Sequence, residues 1–211
     1  MNDTPTEKQV IILHPCGYTR LGIRALLPPT CRVLDTDDLA LCRYWLLTCG
    51  QIDRVIIAQQ GTRYSMVSAL GLIDWLCHDD SGCRVQVMLN TDRAPWLRHY
   101  LAEYGFPVTV IEPGSPLQVF IRQLEQRVHD EELPIQKEAT CFGKGYPEHL
   151  SAKELQILEA LLTGKKGCQV ARQLSLSEKA VSYYKGRALT KLGMKSIHSL
   201  LTNSYLHSRF H

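Results

Sequence analysis

Between Leu150 and Leu206 the spacing of apolar, capping and glycine residues admits little besides a compact set of short helices. Ser151 followed three residues later by Glu154 is a pattern that satisfies two orphan backbone donors at a helix start. Leu155, Leu158 and Leu162 then recur at helical spacing, and Gly164 with Gly167 supply permissive backbone geometry that stops the helix. A second short amphipathic run, Val170-Ala171-Arg172-Gln173-Leu174, is separated by Ser175-Leu176 from Ser177, a good N-cap for a third helix. That third helix runs from about Glu178 to Leu192. It buries Val181, Ala188, Leu189 and Leu192 and leaves Lys179, Ser182, Tyr183 and Gly186 on another face. A fourth amphipathic segment, Ile197 to Leu206, closes the small core.

A helix fits the major groove of B-DNA, and base-contacting side chains usually sit in its N-terminal half. Lys179, Ser182, Tyr183 and Gly186 are therefore the candidate base-facing residues. Lys153, Ser177, Lys185, Arg187 and Lys191 surround them as candidate phosphate contacts. Gly186 is informative because glycine inside a helix costs about 1 kcal/mol relative to alanine, and close approach of a DNA backbone or base edge is a reason to keep it. Charge follows the same division. From Glu148 onward ten Lys/Arg stand against four Asp/Glu, whereas the part in front has fourteen against seventeen. The basic end is the one suited to nucleic acid.

Five stations occur in order: Leu150-Ser151-Ala152-Lys153-Glu154, Gly164, Val170-Ala171-Arg172-Gln173-Leu174, Ser177-Glu178-Lys179-Ala180-Val181 and Lys191-Leu192-Gly193. In this the segment resembles the four-helix helix-turn-helix of the LuxR/NarL/FixJ family of transcription regulators. The resemblance implies binding to double-stranded DNA. Three positions depart from the family pattern. Gln156 stands for a second Glu, Tyr184 for a His in the recognition helix, and Ile197 for an Arg after the Lys-Leu station. They bear on the DNA sequence read and on an internal salt bridge usual in the family.

At 211 residues the chain has room for a typical domain in front of this module. There, short apolar runs alternate with helical segments. Val10 to Leu13, Arg32 to Leu34, Arg54 to Ala58, Val85 to Leu89 and Val108 to Ile111 read as strands. Tyr18 to Leu27, Asp38 to Leu47, Val67 to Cys77, Pro95 to Tyr104 and Leu117 to Val128 read as helices. Five strands alternating with five helices predict an α/β fold, a doubly wound, mostly parallel (βα)5 sheet. Polar, Gly- and Pro-marked sequence follows, which reads as a linker. The expected organisation is a receiver-like domain over 8–129, a linker over 130–147 and an all-α helix-turn-helix domain over 148–211.

Strand order and length resemble a response-regulator receiver domain, and the resemblance implies a phosphorylation pocket at the carboxyl ends of the strands. The positions aligned with that pocket are His14-Pro15, Gln59, Leu89 or Asn90, and Glu112. Phosphoryl transfer to a carboxylate needs an anionic nucleophile and a divalent ion, and a Gln amide supplies neither. Glu112 reverses the sign of the usual phosphate-pairing lysine. The expectation is a degenerate pocket with no catalytic residue, no metal and no cofactor.

Eight cysteines occur without a Cys-x-x-Cys pair, which argues against a zinc ribbon or a thioredoxin-like motif; most sit in apolar runs and read as small core residues. No signal peptide or bilayer-length apolar run is visible, so a cytoplasmic protein is expected. The resemblance further implies a regulator independent of phosphorylation, acting as a homodimer or as an auxiliary heterodimer with an RcsB-like response regulator. Tyr18, Leu21, Ile23 and Leu26 on the first helix, with Phe120, Ile121 and Leu124 on the last, are either core or a pairing face. Two alternatives stay open: a regulator sensing a small molecule, and an antagonist that captures a response regulator without reading DNA.

Overall fold

The computed structural model describes residues 8–59, 61–78, 82–90, 95–103, 108–125, 149–198 and 200. Strands β1 (Lys8–Leu13), β2 (Cys31–Thr36), β3 (Arg54–Ala58), β4 (Arg84–Met88) and β5 (Val108–Ile111) form one parallel sheet in the order β2-β1-β3-β4-β5. Helices α1 (Gly17–Leu26), α2 (Leu39–Thr48), α3 (Met66–His78), α4 (Pro95–Glu103) and α5 (Leu117–Glu125) alternate with the strands. Helices α6 (Ala152–Leu162), α7 (Gly167–Gln173) and α8 (Glu178–Lys191) follow. This is the doubly wound order with a C-terminal helical module that the sequence predicts.

Unbroken β-branched runs can serve as strands only where both faces are covered, because every second side chain points the other way. Val10, Ile12, Ile56, Met88 and Ile111 share one core with Ile23 and Leu27 near the end of α1 and Leu124 of α5. The intervening Ile11, Leu13, Val55, Ile57 and Val87 are also buried. Asp38, expected inside α2, is instead its N-cap, its carboxylate accepting the N–H groups of Ala40 at 2.7 Å and Leu41 at 3.2 Å. That is the usual use of a short acidic side chain before a helix.

By their contacts the residues group into two compact units, Met1–Leu89 with Pro107–Val128, and Asn90–Phe106 with His129–His211. Helix α4 thus groups with the C-terminal helices, where the Tyr100 hydroxyl accepts the Leu150 N–H at 3.2 Å. The expected linker, the end of the Leu117 to Val128 helix and most of the Ile197 to Leu206 helix lie outside the described residues. The cysteine expectation needs correction. Among the described residues only Cys42 is fully buried, its thiol pushed up to about 12 by desolvation, while Cys16 and Cys168 are exposed. No helix of the described residues is long and apolar enough to cross a membrane.

Candidate nucleic-acid interface

Helix α6 begins as its sequence dictates. The Ser151 hydroxyl accepts the Glu154 N–H at 3.3 Å and the Glu154 carboxylate accepts the Ser151 N–H at 2.7 Å, a complete capping box. Gly164 ends the helix at φ +85°, which an L side chain rarely adopts. Gly167, expected to help stop α6, is instead the first residue of α7. Between α7 and α8 the chain turns through Ser175 at φ +53°, and the Ser177 hydroxyl accepts the Ala180 N–H at 3.1 Å to open α8. Ile157, Ala160, Val170, Ala171 and Val181 form the core that fixes the three helices. Val181, Ala188, Leu189 and Leu192 are all buried, as the periodicity requires.

The inward face of α8 being fixed, its outward face follows. Lys179, Ser182, Tyr183 and Gly186, at steps of three, one and three residues, form one exposed stripe, with Tyr183 59% exposed. A Cβ built on Gly186 meets nothing within 4 Å, so the glycine relieves no clash within this unit. The Arg187 guanidinium lies 5.9 Å from the Tyr183 ring centre, and the Tyr183 and Tyr184 rings meet edge to face at 5.6 Å. Lys153, exposed on α6, places its ammonium 6.0 Å from the ring of Tyr184, which itself packs against the core. Ser177 is exposed and Lys185 half-buried beside the stripe.

One expected phosphate contact is corrected. The Lys191 ammonium donates to the Glu154 carboxylate and to the His149 carbonyl, each at 2.8 Å, and its side chain is largely covered. A lysine so engaged inside the unit is not available to a phosphate. Arg187 also approaches Glu154, at 3.6 Å, but keeps much of its side chain exposed. Glu154 is 1% exposed, and burial raises its pKa. The hydrogen bonds from Lys191 and from Ser151 outweigh burial and bring the net value below the usual carboxylate range. The internal ion pair that Gln156 put in question is therefore made by Glu154 with Lys191, two residues 37 positions apart. Only the capping role of Glu154 was visible in its local sequence.

At the carboxyl ends of the strands the aligned positions hold no acid cluster. The His14 Nδ1 accepts the Cys16 N–H at 3.0 Å, and burial, with the nearby Arg20 guanidinium, holds the imidazole pKa below its usual value. Arg20 donates to the His14 carbonyl at 2.6 Å and to the Pro15 carbonyl at 3.3 Å, and pairs with Asp35 at 3.0 Å. A fixed cation thus stands against the backbone of His14 and Pro15, the two residues that follow β1. Gln59 is half-buried, and its Oε1 has no hydrogen-bond partner among the described residues. The buried Tyr64 directs its hydroxyl to the carbonyls of Ala58, at 3.2 Å, and Leu13, at 3.5 Å. Its ring lies so close to Gly61 that a Cβ there would come within 2.4 Å of it. Glu112 is half-buried, its N–H donating to the Gln123 Oε1 at 3.1 Å, while Asn90 groups with the other unit. Neither Arg20 nor Tyr64 carried a sequence signal, because both act on carbonyls brought together only by the fold.

Residues 148–202 match the model of the bacterial regulatory proteins of the luxR family. A candidate transcriptional regulator of Pseudomonas aeruginosa is 43% identical over 54 residues, 26% of this chain and 26% of its own length. The transcriptional regulatory protein TdiR of Thauera aromatica is 36% identical over 52 residues, 25% of this chain and 23% of its own length. The chain thus spans about a quarter of the length of the curated relatives it matches. Among solved structures, RcsB of Salmonella enterica serovar Typhimurium bound to promoter rprA superposes with TM-score 0.53 at 17% identity, covering 94% of this chain and 98% of RcsB. A structure of two RcsB dimers on two parallel DNAs gives 0.54 at 19% identity, with the same coverage. At these identities the likeness shows a shared fold.

Proposed function

We propose that this chain, whose residues 148–202 form a regulatory domain of the luxR family, is a DNA-binding transcription regulator that works without phosphorylation. The observation that carries the reading is the exposed stripe Lys179, Ser182, Tyr183 and Gly186 on the helix that follows a tight turn. Lys179, Ser182 and Tyr183 contact base edges in the major groove, and Gly186 lets the helix lie close. Lys153, Ser177, Lys185 and Arg187 contact phosphates and hold the register. The functional division is a receiver-like domain over 8–129, a linker over 130–147 and the DNA-binding domain over 148–211.

Independence from phosphorylation is supported by Gln59 at the position aligned with the acceptor and by His14-Pro15, whose carbonyls Arg20 holds, at the positions aligned with the metal-binding acids. Pairing is carried by the outer faces of α1 and α5, where Tyr18 is 87% exposed, Leu21 64% and Leu117 62%. The second subunit is another copy of this chain or an RcsB-like response regulator. Pairing raises the local concentration of the second DNA-binding module once the first is bound. The test is to incubate the full chain with Mg²⁺ and acetyl phosphate, then record its intact mass and its binding to duplex DNA selected from a random pool. The proposal requires unchanged mass and an unchanged isotherm. A gain of one phosphoryl group, or no selectable duplex, contradicts it.

A further inference from the structure

The sheet has a second polar cluster at its amino edge, opposite the pocket described above. Strands β1, β3 and β4 begin with Lys8, Arg54 and Arg84. Val10 is in register with Arg54, and Arg54 with Arg84, so the two arginines stand side by side on one face of neighbouring strands. Lys8, two residues before Val10, shares that face. The cluster borders a cleft of about 310 Å³ between the ends of α1 and α5, with Leu26 and Ile121 among its apolar lining and Glu125 at its rim.

Like charges directly opposite on neighbouring strands destabilise a sheet, and partial burial sharpens the cost. Arg54 feels both effects: desolvation first, then the adjacent Arg84, lowers its pKa, and the smaller opposing influences of Cys31, Asp53 and Glu125 do not offset them. Nearby acids do not pair the cluster. The Asp53 carboxylate accepts the Gln9 N–H at 2.7 Å, and among the described residues Lys8, Arg54, Arg84 and Glu125 form no salt bridge. Capping of α5 accounts for part of the cluster. Arg54 donates to the Leu124 carbonyl at 2.7 Å, and the Gln86 amide donates to the carbonyls of Gln123 and Leu124. It accounts for neither Arg84 nor Lys8.

We infer that this cleft binds a small organic anion, with a phosphate or carboxylate head among Lys8, Arg54 and Arg84 and a short apolar group against Leu26 and Ile121. The volume lies at the lower end of the ~300–1,000 Å³ typical of small-ligand pockets. Two guanidinium groups offer the planar, charge-assisted donors that carboxylates and phosphates match best. No covalent step is involved, and the inference is independent of the DNA-binding reading.

Calorimetric titration of the full chain tests it, with phenyl phosphate and benzoate as the two head groups, and inorganic phosphate and phenol as the separated halves. One anion is expected to bind saturably at one site, more tightly than inorganic phosphate, with no saturable heat from phenol. Arg84→Gln and Lys8→Gln are each expected to weaken that binding about tenfold, or about 1.4 kcal/mol. The Arg84 side chain makes no hydrogen bond among the described residues and Lys8 is exposed, so neither substitution removes a structural contact. The absence of saturable binding by either anion, or affinity unchanged in both variants, overturns the inference.

Discussion

At Glu154 one carboxylate closes the capping box of α6 and neutralises Lys191 from α8, so a local signal and a long-range one converge on a side chain that is almost fully covered. Replacing it as Glu154→Gln leaves a largely covered ammonium without its counter-charge. The expected cost is roughly 3 kcal/mol, read as faster hydrogen exchange in α6 and α8 of the full chain. The sign of the pH dependence follows from the lowered pKa. An unfolded glutamate titrates near 4.3, so the stabilisation is complete above about that pH and is lost as pH falls through the lower folded value. The same protection, followed from pH 7 downward, should weaken only in that acid range and should be insensitive to it in the Gln variant. Tyr64 gives a second residue-scale expectation. Gly61→Ala forces a methyl against a buried ring and should destabilise the sheet unit by about 1–3 kcal/mol in denaturant unfolding, whereas Tyr64→Phe, which loses only the hydroxyl, should cost about 1 kcal/mol.

Helix α8 shows what a single element can be asked to do. Its length, its Ser177 cap and its buried set were legible from spacing alone, because the 3.6-residue period assigns faces without reference to the rest of the fold. The fate of its charges was not. Lys185 and Lys191 look alike in the sequence and are both partly covered, and only the approach of α6 gives Lys191 its buried carboxylate partner. Strands were legible for the same kind of reason, an apolar run bounded by polar turns, while Gly167 was misread because Gly164 alone ends α6 and a second glycine three residues on falls where α7 begins. Gly186 separates stability from function within the element. Gly186→Ala adds a methyl into open space and improves helix propensity, so it should stabilise the unit by up to about 1 kcal/mol while weakening affinity for the selected duplex. A parallel gain in both would remove close approach as the reason for the glycine.

For the molecule as a whole, the proposed function assigns the grip on DNA to the basic C-terminal part and the choice of partner to the acidic part before it. If the exposed apolar residues of α1 are the pairing face, Leu21→Glu should lower the mass of the DNA-bound species by one subunit and weaken binding to a duplex with two half-sites, leaving a single half-site almost unaffected. That expectation concerns partner choice; the central claim concerns α8. It is tested most directly by fluorescence-anisotropy isotherms of the full chain on its selected duplex and on a scrambled one, over a range of salt, for the parent and for Lys179→Ala with Tyr183→Ala. The account predicts that the double variant binds the two duplexes alike, with weaker binding at higher salt still evident because Lys153, Lys185 and Arg187 remain. Undiminished preference for the selected duplex would show that the stripe on α8 does not read the sequence.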